Sequence, residues 1–405
     1  MKVILFLPAL LVAALLLLAQ LDDELSPEAE AFISRIDTSG GSEAYLYLLG
    51  IYANEDDSPE KVGRQLLAEY RQHERDDAYE IIDYDESKKL ALPTKAFTCG
   101  AWEEDCLKSL LESELNTDDL RMKHEILLSR SDRFHDFSEY KTLTMPSVEE
   151  RIPPYQYLAA AERIKMLSAL TLHKQGQSAD AILALEDQLQ SLRHSLALQD
   201  NLIGKLVFVM QISTALDFLS VISSQAQLSV IRMNGLSGDE KGLAMAAARE
   251  FQMSYAALKE ADRHPEFFQI GGNVPGWIVR MLYKPNMTLN AIAPQYTRFE
   301  RLSFASASQF AQEVESFDEI GTSALSIRNY AGAKLVHMYD IFDEYNARFL
   351  DLDAKIILFN HLNEGFENAR NPYYEDEAPE IFADRACFRG PMEDPRSLRC
   401  LRTGI

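Results

Sequence analysis

Val3 to Ala19 run for seventeen residues without a charge, preceded by Lys2 and the α-amino group. A charged start followed by an apolar run is how a secretory signal begins. The run also reaches the ~17–25 residues that a spanning helix needs. The flanks discriminate. A cleavable signal carries small residues one and three positions before the cut. Ala19 suits the first position, Leu17 occupies the second, and no Cys follows to mark a lipoprotein. Residues 1–21 are read as a signal anchor, with a cleaved signal peptide as the alternative. Both place residues 22–405 outside the cytoplasm, with Lys2 inside. The expected location is the periplasmic side of the inner membrane, anchored through residues 3–19, or the periplasm after cleavage. A bacterial envelope is preferred to a eukaryotic secretory route, where Asn286-Met287-Thr288 would be a glycosylation acceptor.

The exported part is longer than one core usually serves, so two domains or an elongated helical array are expected. A hydrophobic fraction of 47% with 25% charged residues is that of a folded chain. The net charge of −23 is front-loaded: residues 22–86 hold 19 Asp or Glu against 5 Lys or Arg, a net of −14. A field of that sign repels nucleic acid and anionic head groups, so no nucleic-acid partner is expected. It also keeps a protein soluble, or attracts a cationic partner. Cys99 lies near Cys106, and Cys387 near Cys400. In an exported chain, two such pairs without CxxC spacing or adjacent His read as two local disulfides rather than zinc ligands.

Helix grammar recurs along the chain. Ser26-Pro27-Glu28 and Ser58-Pro59-Glu60 each offer a cap, a proline for the first turn and an acid for the dipole. Thr117 is the expected cap of a helix over 117–134, after a shorter one over 103–114. Residues 79–98 lack helical period and are read as an ordered loop or, near 79–92, at most a small β-hairpin. Pro146, Pro153 and Pro154 punctuate a boundary. Beyond it, residues 161–189 read as a helical hairpin turning at Gly176, and Leu202–Ser223 is apolar on nearly every face. Lys205, Gln211 and Asp217 within that run would be expensive in lipid, so it is read as a buried central helix. Helices are expected from Ser237 to about 263, over 286–316 with a bend at Pro294, and over 327–366.

Ala161, Leu167, Lys174–Gly176, Ala181-Ile182 and Leu189 stand at the spacings of a tetratricopeptide repeat, which this hairpin resembles over one unit. The resemblance implies closely packed helices and a peptide-binding groove if further units stack. The expected fold is all-α and multi-helical, with a solenoid-like array as one arrangement. The expected division is an acidic small-helix domain with a disulfide loop (22–150), a main helical domain (151–370) and a Pro-rich, disulfide-containing tail (371–405).

Catalytic signatures are weak. Ser58–Lys61 and Ser138–Lys141 match SxxK, but the strands that would hold the partner motif are missing. Asp83–Ser87 begins like a calcium loop, yet Lys88 and Thr94 stand where Gly and Glu are required. Glu313 and Glu315 are the nearest candidates for the raised-pKa acid of a peptidoglycan-cleaving enzyme, without its companion motifs. No catalytic, cofactor or metal residue is assigned. Aromatics, arginines and turn-formers concentrate in 264–301. Phe267, Phe268, Trp277, Arg280, Tyr283, Tyr296, Arg298 and Arg301 are the candidate recognition surface, with packing of a long loop as the alternative. The expected function is a non-enzymatic interaction or scaffold role with a protein partner in the cell envelope. The alternative is an envelope hydrolase acting on peptidoglycan or a related polymer.

Overall fold

The computed structural model describes residues 21–76, 84–93, 99, 103, 106–114, 116–263, 276–316, 328–336 and 342–404. The expected N-terminal hydrophobic helix lies outside them. The protein is mostly helical. Its small-helix region contains α1 (Pro27–Ser34), α2 (Glu43–Leu49), α3 (Pro59–Asp76), α4 (Cys106–Glu112), α5 (Thr117–Lys123) and α6 (Glu125–His135). The longer helices are α7 (Tyr155–Lys174), α8 (Ser178–Leu198) and α9 (Leu202–Ala226), followed by the single turn α10 (Gly238–Lys241) and α11 (Ala244–Lys259). Then come α12 (Gly276–Leu282), α13 (Pro285–Leu302), α14 (Ala307–Ser316), α15 (Tyr330–Val336) and α16 (Phe342–Asn360). Three short strands, β1 (Glu380–Ile381), β2 (Arg385–Cys387) and β3 (Cys400–Arg402), form one antiparallel sheet in that order.

The caps work as their chemistry demands. Ser26 Oγ accepts the Ala29 amide, Ser42 Oγ that of Tyr45, and Ser58 Oγ that of Lys61. Ser58 of the first SxxK match is thus a helix cap. Ser237 and Glu240 close a capping box over α10. Asn116, not Thr117, caps α5, because its side chain reaches the Asp119 amide at 3.2 Å while Thr117 is already helical. α5 and α6 break at His124, where one helix was expected. Gly176 turns the α7–α8 hairpin with φ +82°, a left-handed conformation that favours glycine. Pro294 sits inside α13.

Two glycines let α2 and α3 approach backbone to backbone. A Cβ on Gly63 would stand 1.8 Å from the Leu46 carbonyl oxygen, and one on Gly50 would stand 2.1 Å from that of Pro59. Ala44 to Leu49 are consequently all buried.

α9 runs through the interior between α8, α7, α16 and β3. Among the described residues it is the one helix long and apolar enough to cross a membrane, and 78% of its apolar window is buried in the protein. It is the central helix expected. Apolar packing continues from Ala29 and Phe32 through the long helices to Ala386 and Leu401 without interruption at Pro146–Pro154. Phe32 of α1 packs on Phe251 of α11 at 5.2 Å between ring centroids.

The sheet lies elsewhere than expected. Among the described residues of the 79–92 stretch, 86–88 form a 3₁₀ turn, and Leu90 donates its amide to the Tyr52 carbonyl at 2.9 Å. The described part of the segment is tied to the α2 end through this bond. The strands belong to the tail, where Cys387 stands directly opposite Cys400 and β3 packs on α9 and α16.

Candidate functional site

A cavity of about 650 Å³ opens where α1 and the loop after α6 meet the α8–α9 turn and the start of α11. Its wall includes Arg35, Asp37, Lys141, Asp200, Lys205, Asp239 and Arg249, with Met245 and Phe304 as apolar members. Asp200 ends the α8–α9 turn beside Asn201, whose side chain caps α9 by accepting the Gly204 amide. Thr142 fixes the Asp200 carboxylate with both its amide (2.7 Å) and its hydroxyl (2.6 Å).

The cations in the wall are mostly committed. Lys141 donates to Asp37 at 2.6 Å and to the Ser39 carbonyl at 2.8 Å. The bonds from Lys141 and Ser39 hold the Asp37 carboxyl well below its ordinary range. Arg35 pairs with Glu300 at 2.5 Å, and Arg249 bridges Glu150 and the Thr144 carbonyl. Lys205 is buried one turn into α9. Its ammonium donates to the carbonyls of Leu196 (3.3 Å), Asp239 (2.8 Å) and Glu240 (3.1 Å). Burial pushes it down to about 8, against the opposing pull of Asp239, Glu240 and Asp200. With its three protons directed to three carbonyls it acts as a helix-end clamp and presents no free donor to the cavity.

Two further polar centres lie inside the helical body. Glu162, fully buried, accepts hydrogen bonds from Ser131 (2.6 Å), Lys165 (2.7 Å) and Gln188 (2.7 Å), and lies 3.1 Å from His135 Nε2. Nδ1 of His135 lies 2.7 Å from Ser195 Oγ. Burial opposes ionisation of Glu162, but the contacts from His135 and Lys165 outweigh it and hold the carboxyl low. Ser195, His135 and Glu162 follow the nucleophile–base–orienter order of an acyl-transfer relay. However, Ser195 is 1% exposed and lines none of the described cavities, and the chain of bonds joins α6, α7 and α8 in the interior. The second centre joins α9 to α16. Lys355 Nζ donates to Asp217 Oδ2 at 2.6 Å and Ser213 Oγ at 2.8 Å, and Asp217 Oδ1 accepts the Arg402 amide at 3.1 Å. The Asp217 that argued against a membrane span is thus neutralised across the core.

The described members of the candidate recognition surface lie in different settings. Phe267, Phe268 and the side chain of Arg280 lie outside the described residues. Trp277 is 60% exposed. Tyr283 and Tyr296 are core residues and form no part of a surface. Tyr283 donates to the Leu258 carbonyl (2.6 Å), and Tyr296 shares a 2.7 Å hydrogen bond with Ser254, each phenol reaching a partner so that its ring can stay buried. Arg298 pairs with Asp343, and Arg301 binds Glu313 through two bonds of 2.5 Å. That contact holds Glu313 below its ordinary value, the wrong direction for a general acid, while Glu315 accepts the Tyr374 hydroxyl at 2.6 Å.

The cysteines join as Cys99–Cys106 and Cys387–Cys400, with Cα separations of 5.8 and 4.1 Å. Asp83 lies outside the described residues, and Asp85 accepts the Ser87 amide and hydroxyl. Among the described residues no cluster of three or more His, Cys, Asp or Glu is placed to hold a metal. Set against protein-family models, curated proteins and solved structures, the chain matches none.

Asp200 and Arg249 drew no functional expectation from the sequence, and Lys141 entered only as the lysine of the second SxxK match. Asp200-Asn201 ahead of the apolar Leu202 reads as the start of a helix, and nothing local separates a residue that serves a cap from one that also faces a cavity.

Proposed function

We propose that this chain is an exported interaction or scaffold protein of the cell envelope without catalytic activity. In this reading residues 3–19 lie in the inner membrane and the helical body faces the periplasm, where it holds a protein partner. The observation that carries it is the separation of chemistry from access. The Ser195–His135–Glu162 and Ser213–Lys355–Asp217 centres join buried helices, while the cations in the wall of the accessible junction cavity are held by carboxylates or backbone carbonyls. The two disulfides are consistent with an oxidising compartment. A solenoid-like stacking of α7 to α9 beside α11 and α13 would present such a surface, as the repeat resemblance of residues 161–189 implies.

The test is a pull-down from solubilised membranes using the full chain tagged at its C-terminus. Recovery of a specific partner supports the reading. Recovery of none, with hydrolysis of purified cell wall by the isolated protein, refutes it. A second reading is a hydrolase acting on peptidoglycan or a related polymer, with Glu250 of α11 as its candidate acid, although Glu250 lines none of the described cavities. Burial first, then the neighbouring Glu150 carboxylate, push Glu250 up to about 7, the setting of a general acid. That reading predicts cell-wall hydrolysis abolished by Glu250→Gln.

A further inference from the structure

We propose that the junction cavity receives a basic side chain, lysine or arginine, carried on an extended segment of a protein partner, and that Asp200 is the carboxylate that pairs with it. This rests on the interaction reading above. Three of the cations in the wall are already matched, Arg35 by Glu300, Lys141 by Asp37 and Arg249 by Glu150. Lys205 directs its donors to backbone carbonyls. Asp200 receives its two short bonds from Thr142 and a longer one of 3.4 Å from Asn201, all from neutral groups. Among the described residues neither Asp200 nor Asp239 has a cationic partner within bonding distance. After pairing, the wall therefore presents two carboxylates against one clamped ammonium.

A carboxylate oriented by neutral donors, with lone pairs left over, is suited to an incoming ammonium or guanidinium. Met245 and Phe304, 40% and 60% exposed, offer apolar area for the aliphatic stem of such a side chain, and the Phe304 ring offers a face for its charge. The volume of about 650 Å³ falls in the ~300–1,000 Å³ range of ligand pockets, enough for a side chain with adjoining backbone. Beyond the cavity, the net charge of −23 steers a cationic segment inward and an anionic one away. The start of α11 would favour an anion, but the guanidinium it would recruit, Arg249, is neutralised by Glu150.

The experiment titrates the purified full chain, by fluorescence anisotropy, with a labelled Gly/Ser peptide carrying two arginines and with the same peptide carrying glutamines. Asp200→Asn is the informative variant. Its amide can accept the Thr142 amide and donate to the Thr142 hydroxyl, so the turn survives while the charge is removed, and an unchanged Tm verifies this. The arginine peptide should bind and the glutamine peptide should not. Asp200→Asn should weaken binding by about tenfold or more, and raised salt should weaken it further. Equal binding of both peptides, or unaltered affinity in Asp200→Asn, overturns the proposal. Binding of free spermidine as tightly as the peptide, or of inorganic phosphate in its place, also overturns it. If the membrane pull-down recovers a partner while the arginine peptide fails, this site assignment falls and the interaction reading stands.

Discussion

Lys355→Met is the most direct probe of how the helical body is held together. The substitution keeps the unbranched stem and removes an ammonium whose side chain is 1% exposed. It deletes the bonds to Asp217 at 2.6 Å and Ser213 at 2.8 Å. Asp217, 5% exposed, then keeps only the Arg402 amide at 3.1 Å and remains as a buried carboxylate without its cation. Breaking one side of such a pair costs about 3–5 kcal/mol. An unfolding entropy of about 2.1 cal/mol/K per residue, over the roughly 385 residues beyond the first segment, converts that loss into a Tm drop of roughly 4–6 °C. Burial already pushes Asp217 up and Lys355 down, each toward its neutral form, as expected of a pair that paid to leave water. The double variant Asp217→Leu/Lys355→Met should therefore recover part of the loss, because no charge is then left unmatched, although the Arg402 amide loses its acceptor. Calorimetry and urea unfolding with the disulfides intact read both values. A single variant as stable as the wild type, or a double variant no better than the single, would refute the reasoning.

Asp351 supplies a pH signature. Burial first, and then the nearby Asp394, push its carboxyl up to about 7, despite Arg399 and Tyr373. Because the folded pKa lies above the unfolded one, Asp351 favours the fold at pH below about 4 and loses that contribution as pH rises through about 7. Asp351→Asn should flatten the stability profile between those limits, by at most about 4 kcal/mol at pH 8, and urea midpoints across pH report it. Gly63→Ala places a methyl against the Leu46 carbonyl and should cost about 3 kcal/mol or prevent folding, seen as lost soluble yield or a lowered Tm. Ser195 should resist a fluorophosphonate serine probe in the native chain, and Ser195→Ala should cost only about 1 kcal/mol; labelling at Ser195 would reopen the relay as chemistry.

The sequence made local structure readable and long-range pairing unreadable. Ser26-Pro27, Ser58-Pro59, Ser237 with Glu240, and Gly176 signal their roles within four residues, and the structure uses each as its chemistry suggests. The all-round apolar Leu202–Ser223 foretold burial because almost no face was left for water. Its Asp217 gave no hint of Lys355, which lies 138 residues further on. The strands of the tail are two or three residues long, too short for an alternating pattern to register, and the Cys387–Cys400 opposition is what places them. Tyr283 and Tyr296 look like surface aromatics in a list of residues, because only the fold reveals that their hydroxyls reach Leu258 and Ser254.

The Arg402 contact bears on the order of assembly. Residues 400–402 emerge from the ribosome long after α9, yet the Arg402 amide supplies a donor to Asp217, and Ser220 of α9 donates to the Arg402 carbonyl at 2.6 Å. Until the strand arrives, the central helix holds two polar groups with unfilled bonds in an otherwise apolar interior. The strand at 400–402 thus fills two bonds in the middle of the central helix. A chain interrupted before that strand would keep its helices but leave the middle of α9 wet, loose and open to proteases.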